Sequence, residues 1–202
     1  EEARLRFRGK AKTQVKLGII PKGNSPRSPP NEVTLTRADV KMPSVYSEIV
    51  DKKKGIAYIY LSEFNDKSHE DFKKALDALK GEGMKSLILD LRFNAGGLVD
   101  TANIIASNFL QKGKVIVNMQ MKQKTTTTKT KTDGEYANLK VSILINGLSA
   151  SASEILAGCL QDHGRAKLIG SQSYGKGVAQ TIIKAFPEPG YAVKLTVANY
   201  TL

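Results

Sequence analysis

From residue 55 onward, short apolar segments with the character of strands alternate with segments that have the period of a helix. Residues 56–61 and 87–91 are short and apolar, as buried strands are. Between them, residues 69–80 place apolar side chains on one helical face behind Ser68, a residue type that caps helices. Because the alternation continues almost to the end of the chain, the sequence predicts an α/β layered domain.

The remaining elements of this domain follow from the same patterns. They are a helix over 98–111, strands over 114–118 and 141–145, a helix over 151–161, and strands over 167–170, 178–184 and 191–200. Residues 125–132 are a low-complexity stretch of threonine and lysine, which we expect to be a flexible excursion at the surface.

The first part of the chain has a different character. Residues 1–42 contain two strand-like segments separated by a loop rich in glycine, serine and proline, and they are too few to bury a core alone. Residues 43–54 contain a proline and a charged run, which predicts a linker, and residues 55–202 form the main domain. We expect both ends of the chain to lie within a longer protein.

Composition limits the classes of partner. The 202 residues are 41% hydrophobic and contain no apolar run long enough to span a membrane. The net charge of +12 lies mainly in residues 1–54 and 112–140. No zinc-ligand spacing, aromatic RNA-binding motif or basic recognition helix accompanies it. We therefore interpret the charge as a solvated face and expect no specific nucleic-acid partner. The single cysteine, Cys159, lies in an apolar segment typical of a buried residue.

Two motifs could carry chemistry. Ser151 lies at the start of a predicted helix, and Lys176 follows 25 residues later in a glycine-rich turn. A serine becomes a nucleophile when a base takes its proton, and lysine serves if burial lowers its pKa. The Gln180 amide could orient the lysine amine. Spacing alone also fits an ordinary helix cap and a solvated turn lysine, and His163 offers a second candidate base.

A tetrahedral oxyanion needs hydrogen-bond donors that are already in place. The backbone N–H of Ala152, at the start of the helix, is one candidate. The loop containing Gly96 and Gly97 lies at another strand-to-helix junction and could supply a second. Both glycines remain candidates, and both could instead simply form a turn.

Taken together, these segments resemble the carboxyl-terminal processing proteases, also called tail-specific proteases, which are serine–lysine peptidases. The matching strings are LDLRFNAGGL (89–98), SASASEI (149–155), QDHGRA (161–166), YGKGVAQ (174–180) and VKLTVA (193–198). The resemblance implies Ser151 as nucleophile, Lys176 as general base and Gln180 as the residue that orients it. It also implies oxyanion donors at Ala152 and at Gly96 or Gly97, and it implies no cofactor and no metal.

The resemblance implies a crotonase/ClpP-like spiral core over residues 55–202. It further implies that residues 1–42 are the C-terminal part of a PDZ domain. The implied function is a serine endopeptidase that cleaves near protein C-termini through an acyl-enzyme, and the alternative is a non-catalytic peptide-binding protein with the same fold. The implied partners are C-terminal regions of proteins or peptides, with contact to the membrane periphery through the full-length protein and no oligomeric state specified.

The resemblance also implies a location in the bacterial periplasm or cell envelope, or alternatively in the thylakoid lumen. Two residues depart from the family pattern. Phe93 stands where asparagine is common, and Ala95 stands where proline or glycine is usual. Both flank the glycine loop, and we expect them to change its stiffness.

Overall fold

The computed structural model describes residues 6–38, 43–183 and 191–202. The chain divides into two compact units, residues 1–42 and residues 43–202. No helix among the described residues is both long enough and apolar enough to cross a membrane.

The first unit contains a β-hairpin. β1 (Gln14–Ile19) and β2 (Asn31–Thr36) pair antiparallel, which confirms the two predicted strands. The Arg37 guanidinium donates a hydrogen bond to the backbone oxygen of Phe7 at 2.9 Å, and so ties the end of the hairpin to the preceding segment. A two-stranded hairpin has little core of its own. The PDZ interpretation of residues 1–42 stays a prediction.

The second unit contains two sheets and three helices among the described residues. In chain order its elements are β3 (Val45–Asp51), β4 (Ile56–Leu61), α1 (Ser68–Gly81), β5 (Ser86–Asp90), α2 (Val99–Ser107), β6 (Val115–Gln120), β7 (Thr125–Lys129), β8 (Lys140–Ile145), α3 (Ala152–Asp162), β9 (Ala166–Gly170), β10 (Val178–Ile183) and β11 (Val193–Thr201). Five strands form one sheet in the order β3-β4-β5-β8-β9, and four form the other in the order β10-β11-β6-β7.

The larger sheet is the centre of the core. Strands β4, β5, β8 and β9 run parallel, and β3 joins one edge antiparallel. Ile59, Leu89 and Ile143 from the three inner strands are fully buried. Strands that are covered on both faces read as continuous apolar runs. This is why the sequence pattern identified them, and the prediction of a mixed α/β domain is confirmed.

The helices cover the sheet through the apolar faces that the sequence predicted. Phe72, Leu76 and Leu79 of α1 are buried, and the Phe72 ring meets the edge of Phe109 at 6.2 Å between centroids. Helix α1 packs against β3 and β4, and α2 lies against both α1 and α3. Helix α3 contacts β9 of one sheet and β6 of the other. Helix α3 is therefore held between the two sheets.

Two sequence interpretations need correction. Residues 43–54 are not simply a linker, because β3 occupies most of them and packs Val45 and Ile49 against the core. Only the lysine run after β3 forms a turn. The threonine-rich stretch at 125–132 is largely the strand β7, which pairs with β6. Threonine is β-branched and favours strands, so its local preference outweighed the low complexity of the stretch.

Candidate active site

Two loops meet at the carboxyl ends of β5 and β8, where parallel sheets commonly bind ligands. We call residues 92–98, which connect β5 to α2, the glycine loop. We call residues 146–151, which connect β8 to α3, the serine turn. Both loops carry motifs that the sequence analysis selected.

Ser151 closes the serine turn in a strained backbone conformation. It is the N-cap residue of α3, with φ of 58° and ψ of −116°. A positive φ is rare for residues other than glycine, and it costs of the order of 1–3 kcal/mol when surrounding structure enforces it. Its residue surface is 8% exposed, and the side chain lines a cleft. A strained, cleft-facing serine at a strand-to-helix turn is typical of a nucleophile.

The other two serines of the motif have structural roles. Ser149 Oγ donates to the backbone oxygen of Leu91 at 2.8 Å, and Ser153 Oγ donates to the backbone oxygen of Asn94 at 2.9 Å. Both serines are fully buried. They tie the serine turn and α3 to the glycine loop on either side of Ser151. Of the three, only Ser151 lines the cleft that also contains Lys176.

A buried amide organises the glycine loop. Asn94 Nδ2 donates to the backbone oxygen of Leu61 at 2.7 Å, and Asn94 Oδ1 accepts from the Gly96 N–H at 2.8 Å. The Asn94 carbonyl also accepts from the Ala150 N–H at 3.1 Å. Asn94 therefore joins β4, the glycine loop and the serine turn. The sequence analysis assigned it no role, although a polar residue just before the two glycines of a strand-to-helix loop was a usable signal.

An ion pair fixes the start of the same loop. Arg92 donates to both oxygens of the buried Asp90 carboxylate, at 2.6 to 3.1 Å. The Tyr58 hydroxyl donates to Oδ2 of the same carboxylate at 2.8 Å. Burial raises the pKa of Asp90, but the bonds from Arg92 and Tyr58 outweigh it and hold the pKa below its usual range. Burial and the bond to Asp90 raise the pKa of Tyr58 to about 12.

The geometry distinguishes the two candidate glycines. A Cβ on Gly96 would lie 2.8 Å from Ser151 Cβ and 2.9 Å from Ala152 N, so this glycine permits the close approach of the two loops. The Gly96 N–H is already bonded to Asn94. The N–H groups of Gly97 and Ala152 have no hydrogen-bond partner among the described residues. The Ala152 N–H follows Ser151 in the chain, and Gly97 lines the same cleft as Ser151, so both N–H groups are candidate oxyanion donors.

Lys176 lies in the connection between β9 and β10. We call residues 171–177 the lysine loop. Gly175 and Gly177 on either side of the lysine have φ of 78° and 56°, which glycine adopts without strain. Lys176 is half-buried, and its Nζ makes no hydrogen bond or ion pair with any residue that the structure describes. Among the residues that the structure describes, no hydrogen bond joins Lys176 Nζ to Ser151 Oγ.

One cleft of about 570 Å³ brings together the predicted site residues other than Ala152. Its lining includes Ser151, Lys176, Gln180, Gly96 and Gly97. The lining also has apolar side chains, namely Phe93, Leu98, Val99, Ala179 and Ile182. A concave apolar site with a few convergent polar groups is suited to a peptide segment.

Gln180 lines the cleft but has another partner. Its Nε2 donates to Thr196 Oγ1 on β11 at 3.3 Å, and no bond joins it to Lys176 within the described residues. A β-bulge between Ala179 and Gln180 changes the register at this point. Such bulges re-aim side chains near functional sites. The orienting role of Gln180 stays a prediction.

Glu154 is the functional residue that the sequence analysis missed. Its Oε2 accepts from the Ser151 N–H at 2.8 Å and from the Lys176 N–H at 3.1 Å. Its Oε1 accepts from the Gly175 N–H at 2.6 Å and from Ser173 Oγ at 2.8 Å. Burial raises the pKa of Glu154, but these bonds outweigh it and hold the pKa below its ordinary value. A glutamate three residues after a helix-capping serine was the available signal.

Phe93 occupies a position that suits a different residue. Its φ is 65°, and its side chain is 65% exposed at the cleft. Asparagine and glycine tolerate this left-handed conformation better than a bulky aromatic residue does. The predicted effect of Phe93 and Ala95 on the stiffness of the loop therefore has a physical basis at Phe93. Ala95 is exposed and has a negative φ.

His163 does not serve Ser151. It follows the far end of α3, which places it about 18 Å from Ser151 at 1.5 Å of rise per residue. Its Nε2 lies 2.7 Å from the backbone oxygen of Val115. Cys159 is buried nearby, as predicted. The described residues contain no cluster of histidine, cysteine and acidic side chains that could hold a metal ion.

Comparisons with known proteins agree with this geometry. Residues 55–202 match the model of Peptidase family S41. The chain is 38% identical over 205 residues to a carboxyl-terminal-processing protease of Synechocystis sp., covering 99% of this chain and 46% of that protein. It is 37% identical over 204 residues to a carboxy-terminal-processing protease of Bartonella bacilliformis, covering 98% and 45%.

Solved structures show the same relationship. A photosystem II D1 C-terminal processing protease matches with a TM-score of 0.68 and 27% identity, over 96% of this chain and 52% of that one. A putative S41 protease from Bacteroides fragilis shares the fold, with a TM-score of 0.68 at 21% identity, over 93% of this chain and 53% of that one. The chain spans about half the length of the curated relatives it matches. It belongs to peptidase family S41.

Proposed function

We propose that the protein is a serine endopeptidase that uses Ser151 as nucleophile and Lys176 as general base. One observation carries this proposal. A strained serine, a lysine whose amine has no described partner and the Gly97 backbone line a single cleft, and the Ala152 N–H follows the serine directly in the chain. Nucleophile, base and oxyanion donors are the parts that acyl transfer requires. The names of the relatives support the same reaction class.

The reaction has two steps. Ser151 Oγ attacks the carbonyl carbon of the scissile peptide bond while Lys176 Nζ takes the hydroxyl proton. The carbonyl oxygen becomes an oxyanion that accepts hydrogen bonds from the N–H groups of Ala152 and Gly97. The intermediate collapses, the C–N bond breaks, and Lys176 returns the proton to the leaving amine. Water, deprotonated by the same lysine, then hydrolyses the acyl-enzyme ester and restores the serine.

The substrates are proteins or peptides cleaved near their C-termini. The cleft supports an extended peptide, because its walls combine apolar side chains with free backbone donors. We further propose that the core has the crotonase/ClpP-like spiral fold and that residues 1–42 are the C-terminal part of a PDZ domain. We also propose that the protein acts in the bacterial cell envelope, with contact to the membrane periphery through the full-length protein.

A peptide binder without turnover is the competing function. Binding alone requires neither a strained serine nor a lysine in the same cleft, and strain persists only where surrounding structure enforces it. Catalysis uses both features. The geometry therefore favours an enzyme over a binder.

A peptidase assay tests the proposal. The substrate is an unfolded protein with an apolar C-terminal tail, and cleavage is followed for the wild type, Ser151→Ala and Lys176→Ala. Ser47→Ala and Lys167→Ala are matched controls, because both residues are exposed on strands away from the cleft lining. We expect the controls to retain wild-type cleavage and the two site variants to lose it. Cleavage by Ser151→Ala at the wild-type rate would overturn the proposal.

A further inference from the structure

The lysine loop and the serine turn share one carboxylate. Glu154 lies in the first turn of α3, three residues after Ser151. One oxygen of its carboxylate, Oε2, accepts from the N–H groups of both Ser151 and Lys176. The other oxygen, Oε1, accepts from Gly175 and Ser173. The same side chain therefore contacts the backbone of both residues to which we assign the chemistry.

The lysine loop has few other attachments. The Tyr174 N–H donates to the Ser149 oxygen at 3.0 Å, and the Tyr200 N–H donates to the Gly177 oxygen at 2.9 Å. The Ser171 N–H also donates to the Ile145 oxygen at 3.3 Å where the loop leaves β9. Between Tyr174 and Gly177, the described hydrogen bonds of the loop end on Glu154. Both flanking glycines have open space around the position of a Cβ, so packing does not restrain them. The position of the lysine backbone thus depends on this carboxylate.

We propose that Glu154 is a positioning residue that holds Lys176 in register with Ser151. This inference rests on the proposed function. Bonds from N–H groups to an ionised carboxylate are stronger than neutral hydrogen bonds. The arrangement is also specific to a carboxylate. Glutamine has the same shape, but its NH₂ group would face backbone N–H donors in place of one acceptor oxygen. In Glu154→Gln, the side-chain NH₂ group therefore faces a backbone N–H donor at the point where the lysine loop is attached, and one hydrogen bond is lost.

The first test separates positioning from stability. Glu154→Gln is compared with Glu135→Gln, a matched change at a carboxylate that pairs with Lys73 and Lys80 on the surface. We expect Glu154→Gln to lower kcat by about 100-fold with little change in KM, because small misplacements of a catalytic group cost about this much. Ser173→Ala removes one bond to the carboxylate and should lower kcat about fivefold. Glu154→Asp should recover part of the loss, and Glu135→Gln should behave as wild type.

The second test does not depend on activity. Hydrogen–deuterium exchange is measured on the whole protein for peptides that contain Gly175 and Lys176, whose amides donate to Glu154. We expect these amides to exchange at least about tenfold faster in Glu154→Gln, with no change in peptides from the five-stranded sheet. Unchanged exchange in the lysine loop would overturn the inference. So would a loss of activity in Glu154→Gln that only follows the folded fraction.

The two tests also separate this inference from the proposed function. Wild-type cleavage no greater than that of Ser151→Ala would overturn the proposed function, whatever the exchange data show. Normal wild-type cleavage with an unaltered lysine loop in Glu154→Gln would overturn the inference alone.

Discussion

The two sides of the cleft are held in place by different means. On the serine side, Asn94, Ser149 and Ser153 are fully buried, and their bonds join two loops to the core. On the lysine side, most of residues 171–177 are exposed, and the segment around Lys176 is attached through one ionised carboxylate. Buried bonds to the core thus hold the serine turn and the glycine loop, while a single titratable side chain holds the backbone around Lys176.

We therefore expect similar substitutions to have different effects on stability and activity on the two sides of the cleft. A change on the serine side breaks bonds in the core, so it should lower the free energy of unfolding together with activity. A change on the lysine side should lower kcat while the fold persists.

The largest effect is expected from removing either reacting group. Ser151→Ala and Lys176→Ala should each reduce kcat by at least about 10⁴-fold, and the double variant should lose no more than either single one. Groups that act as a unit are strongly non-additive in this way. Steady-state kinetics on one peptide substrate measures all three variants. A double variant with a loss equal to the product of the single losses would contradict a shared step.

Asn94→Ala should be the most destabilising change on the serine side. It leaves the Gly96 N–H and the Leu61 oxygen without partners, and each unsatisfied buried group costs about 1–3 kcal/mol. We therefore expect the free energy of unfolding to fall by about 2–4 kcal/mol in chemical denaturation.

Asn118→Ala is the control for this change, since the Asn118 side chain contacts Thr127 at 2.7 Å in the smaller sheet. Its cost should stay below about 1 kcal/mol. Equal losses of unfolding free energy in Asn94→Ala and Asn118→Ala would show that the buried hydrogen bonds of Asn94 contribute no more to stability than an exposed one.

Phe93→Asn should stabilise the protein. Asparagine tolerates the positive φ at this position, and little apolar burial is lost because Phe93 is largely exposed. The expected gain is about 0.5–1 kcal/mol in the free energy of unfolding. Phe93→Ala serves as the control, since it removes the ring but keeps a residue unsuited to this φ. A gain of the same size in Phe93→Ala would attribute the effect to the side chain and not to the backbone.

The smallest effect is a pH dependence on the lysine side. The pKa of Glu154 in the folded protein lies below its ordinary value of 4.5. Its ionisation therefore stabilises the fold fully above about pH 4.5, and this contribution disappears as pH falls through the lower folded pKa. The difference in unfolding free energy between wild type and Glu154→Gln should narrow as the pH falls from 7 to about 3. A difference that stays constant or widens over this range would be inconsistent with a lowered pKa of Glu154 in the folded protein.

Much of this arrangement could be read from local sequence. The strands β4, β5 and β8 and the apolar face of α1 follow from periodicity, because burial imposes a period on neighbouring residues. Ser151 and Lys176 were candidates from their local motifs, and the family resemblance implied their catalytic roles; the family is confirmed. Spacing alone favoured an ordinary cap and a turn lysine.

The rest of the site depends on contacts between distant parts of the chain. Asn94 bonds to Leu61, 33 residues away in sequence, and Glu154 bonds to Gly175, 21 residues away. Local sequence patterns do not indicate contacts over such separations. Our proposal of Gly97 as the donor, in place of Gly96, rests on the bond between the Gly96 N–H and Asn94, which the sequence does not show. The strand β3 was taken for a linker because its burial arises only when it pairs with β4.

A crystal structure with a peptide boronate bound tests the central claim most directly, because boron forms a tetrahedral adduct with a nucleophilic serine. We expect the boron on Ser151 Oγ, with one boronate oxygen about 2.7–3.1 Å from the nitrogens of Ala152 and Gly97. Lys176 Nζ should lie within hydrogen-bond distance of Ser151 Oγ. Boron on another residue would contradict the assignment of Ser151 as the nucleophile. A boronate oxygen bonded to the Gly96 nitrogen in place of the Gly97 nitrogen would contradict the proposed oxyanion donors.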